Sequence, residues 1–319
     1  MSKKYIIGNG ISGLIWKYYN PEFQIIAPTP AGGIYASSHL VWLHDSPETR
    51  DLVTKLGLPY TLKQSRIGYY HGGWIADNVN DEINLTLIQK KMSKWDGPLD
   101  TSFKPRDRKL SLSTGGVLGA SYMNTIDVDL EEFIKRLNKN TDVIDGLVTR
   151  IGQKEMFVQT SKEGAGIHVE YDEIVSTIAA PFFWKAWGTP KEFKCLPITN
   201  ILVKDKPKEF DDRYEMIYYD ESVPFSRISH LGDKYAIEFT GIITKEQFAE
   251  LFPRVDIVEY FVVPQGRIFE QENNPPNENI IFSGRFAQWV PGVVTENVIS
   301  QAKNYANRNK SSIDSSKKE

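Results

Sequence analysis

Apolar positions along this chain follow two rhythms, and the changes from one to the other outline its organisation. Lys4-Tyr-Ile-Ile7 is a short apolar strand that runs straight into glycines and then into a helical pattern. Phe23-Gln-Ile-Ile26 predicts a second strand. Residues 46–57 predict a capped helix, with Ser46 at the cap, Pro47 at the first position and Gly57 as the stop. Asp45 is a second candidate for capping it. Residues 65–76 read as two strands around Gly72-Gly73, 80–95 as helix, 97–119 as loop and 127–139 as helix. Strand-like segments follow near 143–151, 155–161 and 167–171, then Tyr171–Thr177, which ends in small hydroxyl residues.

Between 196 and 240 the period is two. Residues 196–204, 214–219, 225–231 and 234–240 alternate like strands of an antiparallel sheet, and 244–252 reads as helix. Residues 279–306 return to the first rhythm, with a buried strand, Arg285, a Trp-Val-Pro-Gly loop and a closing helix from about Thr295. There are no internal repeats. Residues 307–319 are polar, lack apolar anchors and are expected to form a disordered tail. The order predicts a nucleotide domain assembled from separated segments, with a second domain inserted twice.

The junction at the start carries the chemistry. Gly8-x-Gly10-x-x-Gly13 follows a strand and precedes a helix. In that setting the first glycine permits a tight turn, the second lets backbone approach a pyrophosphate, and the third lets helix pack on strand. Gly8, Gly10, Ile11, Ser12 and Gly13 are therefore candidate contacts to a dinucleotide. The second strand of such a fold usually ends in an acid that holds the ribose; here the positions are Ala27 and Pro28. Gly32-Gly33 allows another close backbone approach.

Composition removes alternatives. The chain has 319 residues, enough for two interleaved domains, and a net charge of −3, which gives no reason to expect nucleic acid or an anionic membrane as partner. Cys195 is the only cysteine and the five histidines are scattered, so neither a disulfide framework nor a structural metal is expected. With a strand by Lys4 and no apolar run of spanning length, a cytoplasmic protein without signal peptide is expected. Cys195 and His230 read as ordinary packing residues. Tyr69, Tyr70, Trp74, Tyr218 and Tyr219 are either core or walls of a pocket.

Four blocks in order carry a family resemblance: IIGNGISGL with Gly32-Gly33 after the second strand, YDEIVSTIAA at 171–180, VPFSRIS at 223–229, and ENIIFSGRFAQWVPGVVTENVISQA at 279–302. Together they resemble the flavoprotein superfamily of amine oxidases, protoporphyrinogen oxidases and UDP-galactopyranose mutases. The resemblance implies an α/β fold, a Rossmann-like FAD-binding domain with an inserted antiparallel-sheet substrate domain. The FAD-binding domain would comprise 1–68, 120–190 and 265–306, and the substrate domain 69–119 and 191–264. It further implies that Gly284, Arg285 and the backbone at Val293 and Val294 meet the flavin end and pyrophosphate of FAD. Val148 would meet the adenine.

Three functions are consistent with these residues. The first is a redox enzyme that passes hydride from a small substrate, an amine or an anion, to flavin. The second is a mutase, in which Arg227 resembles a diphosphate clamp and His44 resembles the histidine near the flavin. The third is a non-catalytic relative that binds a nucleotide or a partner. On the strand where amine oxidases place a lysine and mutases an arginine, this chain offers Thr199 and Asn200. The expected partner is a small-molecule substrate.

Overall fold

The computed structural model describes residues 2–28, 31, 43–76, 122–139, 141–160, 165–220, 222–269, 271–290 and 292–316. The expected helix at 80–95, the loop at 97–119, and Gly32 and Gly33 lie outside the described residues. The chain divides into two units. One comprises Met1–Leu62, Ile126–Phe193 and Glu270–Glu319; the other comprises Lys63–Thr125 and Lys194–Phe269.

Unit 1 opens with β1 (Lys4–Ile7), α1 (Ile11–Tyr19), β2 (Gln24–Ala27), β3 (Leu43–His44) and α2 (Pro47–Lys55). Unit 2 then takes β4 (Thr61–His71), β5 (Trp74–Ala76) and most of β6 (Tyr122–Asp127). The chain returns to unit 1 for α3 (Leu130–Leu137), β7 (Val143–Ile151), β8 (Glu155–Thr160), β9 (Gly166–Glu170), β10 (Glu173–Ser176) and α4 (Ala180–Ala186). Unit 2 is completed by β11 (Cys195–Val203), β12 (Met216–Tyr219), β13 (Arg227–Leu231), β14 (Lys234–Thr240), α5 (Lys245–Leu251) and β15 (Ile257–Ile268). Unit 1 ends with β16 (Ile280–Phe282), α6 (Arg285–Gln288) and α7 (Thr295–Ser316).

The sheet of unit 1 runs β16-β10-β1-β2-β7-β8-β9. Its first five strands pair in parallel, and the far half of β7 turns into an antiparallel meander with β8 and β9. Because β1 and β2 pack between layers, their inner positions are apolar: Ile6, Ile25 and Ala27 meet Leu14, Trp16, Phe133, Val298 and Ile299 in one core. Trp16 Nε1 donates to Ser283 Oγ at 2.6 Å, so the one polar edge of that indole is satisfied in the interior.

The sheet of unit 2 runs β15-β11-β14-β13-β12-β4-β6, with β5 hairpinned onto β4 through Gly72 and Gly73, both at positive φ. One face of this sheet, with Ile201, Ile217, Ile228, Ile237 and Tyr219, packs on Phe248 and Phe252 at α5.

The structure departs from the sequence reading at two elements. Of the expected disordered tail, residues 307–316 are helical, because α7 continues through Ser316. Val298, Ile299 and Ala302 anchor the helix in the core, and no Gly or Pro interrupts it afterwards, so propagation costs little once it has started. β15 was not anticipated because Pro264 and Gly266 argue against a strand; it lies at the sheet edge, where a missing N–H is tolerated. Among the described residues no helix is long and apolar enough to cross a membrane, and no cluster of His, Cys, Asp and Glu could hold a metal.

Candidate functional site

The first constellation stands at the end of β1. Gly8 has φ of +110°, and its N–H donates to Ile26 O at 3.0 Å, which ties the turn to β2. A Cβ there would lie 2.5 Å from Thr177 Oγ1, just past β10. Gly13 is required because α1 lies on the strand: a Cβ on it would stand 2.1 Å from Gly8 O. Gly10 differs from both. Its φ of −77° and ψ of 178° suit any residue, and a Cβ would meet nothing within 4 Å among the described residues. Among these residues, room is left in front of the first turn of α1.

That helix start also supplies no counter-charge of its own. Its N-cap is Gly10, with no side chain to accept from the first N–H groups, and its first turn holds no acid. By contrast α2, α3 and α5 are closed by the side chains of Ser46, Asp129 and Thr244. An uncapped helix start behind an unobstructed glycine fits an anion such as a pyrophosphate. The sheet order agrees: β1 lies between β2 and β10, the point at which the strand order reverses and α/β sheets bind ligands.

The end of β16 joins this group. Gly284 has φ of +88°, and a Cβ on it would be 2.6 Å from Ser12 Oγ, so its backbone abuts the first turn of α1. Arg285 follows, half-buried, at the start of α6. Trp289 ends α6 at φ 59° and ψ 38°, the one positive-φ residue other than glycine among those described. It is fully buried, its ring 4.9 Å from that of Phe193, and its indole N–H has no hydrogen-bond partner. The sequence pattern placed it in a loop and gave it no role.

The second constellation lies on the other face of the unit 2 sheet. Tyr69, Tyr218, Arg227, Glu238 and Asn200 stand directly opposite one another across four consecutive strand pairs, so their side chains share one face. That face is polar yet buried, with Asn200 3 % and Glu238 2 % exposed. Arg227 Nη2 donates to Glu238 Oε2 at 2.7 Å, and Arg267 of β15 donates to the other oxygen. The Arg227 guanidinium is 5.9 Å from the Tyr218 ring centre, and Tyr218 stacks on Tyr69 at 5.7 Å. Thr199 points the opposite way, accepting from Ile243 N and donating to Gly241 O at 2.8 Å. Tyr219 also belongs to the core face, and Trp74 is exposed.

No sequence-family model matches the chain, and no curated protein matches it in sequence. Solved structures do match over nearly its whole length. A reduced UDP-galactopyranose mutase superposes with a TM-score of 0.60 at 12% identity, covering 98% of this chain and 96% of that one. A putrescine oxidase variant gives 0.58 at 11% identity, covering 97% and 99%. A fatty acid isomerase from P. acnes gives 0.58 at 13%, covering 96% and 98%. The chain shares the fold of these solved structures.

Within this fold the remaining candidates fall into distinct places. His44 on β3 packs beside α7; burial holds its pKa below the usual imidazole value, against an opposing pull from Glu296. Val293 and Val294 precede that helix, but their N–H groups are engaged by Val290 O and Asn297 Oδ1. The first-turn donors without an acceptor inside the helix are those of Thr295 and Glu296. Val148 is buried on β7 opposite Val158. Ala27 ends β2, and the residue in register beside it is Asp145 of β7, which brings a carboxylate to that strand end from a neighbouring strand. Arg227 belongs to unit 2 and the glycine group to unit 1. Cys195 is half-buried, and burial pushes its thiol up, so it offers no reactive thiolate.

Proposed function

We propose that the chain is an FAD-dependent oxidoreductase, with unit 1 holding the cofactor and unit 2 supplying side chains that bind a small substrate. The observation that carries this reading is the unobstructed approach at Gly10 before the uncapped start of α1, with Gly284 packed on Ser12 beside it. Those residues fit a pyrophosphate. Asp145 would meet the adenosine ribose, and Gly284, Arg285 and the start of α7 the flavin end. FAD, when bound, supplies a hydride acceptor.

The chain's own groups do the rest. The α1 start offsets phosphate charge, Arg227 orients an anionic group of the substrate, and the buried sheet face excludes water from it. His44, kept neutral by burial, offers a hydrogen-bonding group without a charge. One observation favours a mutase as second reading: Arg267 puts a second guanidinium on the Arg227 face, although Thr199 replaces the arginine expected on β11.

The test is the visible spectrum of protein purified without added cofactor, with the released ligand identified by mass, followed by anaerobic addition of candidate substrates. An oxidoreductase is expected to carry FAD and to bleach with its substrate. Turnover only after chemical reduction of the flavin would favour the mutase. A protein that neither carries nor takes up FAD would sink both.

A further inference from the structure

On the buried polar face of unit 2, one amide is left unmet by its own fold. Asn200 of β11 is 3 % exposed, and its Oδ1 has no hydrogen-bond partner among the described residues. The register shows why. Asn200 stands between Glu238 of β14 and Phe261 of β15, and Ile198 and Leu202 flank it on the same face of its own strand. Phe261, Ile198 and Leu202 carry no polar hydrogen, and Glu238 is a carboxylate that accepts from Arg227 and Arg267. Thr240, opposite Ile198, has its hydroxyl paired with Ser226 Oγ at 2.8 Å. Turning the amide over does not help, because none of these neighbours has a hydrogen to give its oxygen. The donor that Asn200 needs has to come from outside the sheet.

A second unmet atom lies on the other side of Glu238. Arg227 of β13 gives Nη2 to that carboxylate at 2.7 Å, while its Nε, also buried, has no acceptor among the described residues. The Arg227 side chain keeps 21% exposure, so the row is not sealed at this end. One face thus presents an acceptor at Asn200 and a donor at Arg227, with the Tyr218 ring 5.9 Å from the guanidinium.

We propose, resting on the reading of unit 2 as the substrate side, that Asn200 is a specificity-determining residue that selects a hydroxy acid, taking its O–H while Arg227 Nε holds its carboxylate. A simple carboxylic acid in its ionised form satisfies Arg227 and has no hydrogen for Asn200. An ammonium brings three hydrogens to one open oxygen, whereas a hydroxyl brings one and matches it. The Tyr218 ring suits a flat apolar body on the same molecule. A site that leaves a buried oxygen unpaired discriminates strongly against a ligand without the matching group.

The experiment is calorimetric titration of the full chain as purified, any flavin reduced beforehand so that no probe is oxidised, with mandelate and with phenylacetate. The two acids share a ring and a single negative charge and differ by one hydroxyl, so charge does not enter the comparison. The wild-type protein is expected to bind mandelate about tenfold to a hundredfold tighter, the cost of an unpaired buried oxygen. Asn200→Leu should bring the ratio to about one by weakening mandelate alone, with no loss of melting temperature, since it removes an unmet polar group. A wild-type ratio near one, as expected if a resident water already meets Oδ1, overturns the proposal. A ratio that survives in Asn200→Leu does the same. If circular dichroism shows that variant unfolded, Asn200→Ala is read by the same criterion. A protein that holds flavin but binds neither acid overturns this inference and leaves the oxidoreductase reading intact. One that shows the expected ratio but has no flavin and takes none up supports this inference and overturns that reading.

Discussion

Gly10 and Gly13 separate a glycine needed for folding from one needed for binding. At Gly10 the backbone suits alanine and a Cβ meets none of the described residues, so Gly10→Ala should fold and gain about 0.4–1 kcal/mol through the unfolded chain. The same methyl would fill the approach of a pyrophosphate, and flavin content should drop by roughly tenfold or more. Gly13→Ala puts a Cβ 2.1 Å from Gly8 O and should destabilise the protein itself. Thermal melting and bound flavin, measured on both variants, check this; a loss of melting temperature in Gly10→Ala would contradict it. Asp145→Asn should weaken FAD by roughly tenfold to a hundredfold, the worth of a hydrogen bond to a charged group, with melting unchanged. Flavin titration reads that out, and unaltered affinity would leave the ribose to other groups. The glycine constellation was legible in the sequence because its spacing is local. Glu238 and Arg267 were not. In an alternating strand such residues read as the wet face, and only the pairing of β13, β14, β11 and β15 brings them together under cover.

β3 and α7 meet around His44, and this pair of elements sets a pH dependence. The folded pKa of His44 lies below its ordinary value of 6.5, with burial the larger cause and Glu296 opposing it. Folded His44 thus stays neutral where the unfolded chain takes a proton. Stability is intact above about pH 6.5 and falls as pH drops below it towards the folded pKa. His44→Gln should flatten the fall in melting temperature between about pH 7.5 and 5.5, and Glu296→Gln should steepen it. Equal slopes in all three proteins would remove His44 as the cause. At this scale most elements were readable, since the cap of α2, the Gly72-Gly73 hairpin and the strands of unit 2 carry their signals in adjacent residues. What escaped were β15, disguised by Pro264, and the length of α7, whose polar end is held by an anchored beginning.

Among the described residues one core lies around Trp16 and Phe133 in unit 1 and another around Phe225 and Phe248 in unit 2. Only the first should answer to FAD. Free FAD at about a hundred times its dissociation constant should stabilise unit 1 by about 2.7 kcal/mol. In scanning calorimetry of protein stripped of flavin, FAD should raise one transition and leave the other in place. A single transition raised as a whole would mean that the two units unfold as one.

The strand order of unit 1 also has a consequence in time. β1 pairs with β10, and β10 with β16, so the sheet that begins at Lys4 is closed by Phe282. Unit 2 ends earlier, at Phe269. On a ribosome moving at about 5–20 residues per second, the first strand waits roughly 15–60 s for its last partner to be made. The inserted unit, begun later, is complete in sequence first. A chain cut just after Phe269 and released therefore contains the unit 2 segments in full, while β1 and its glycine turn still lack the strand that completes their sheet.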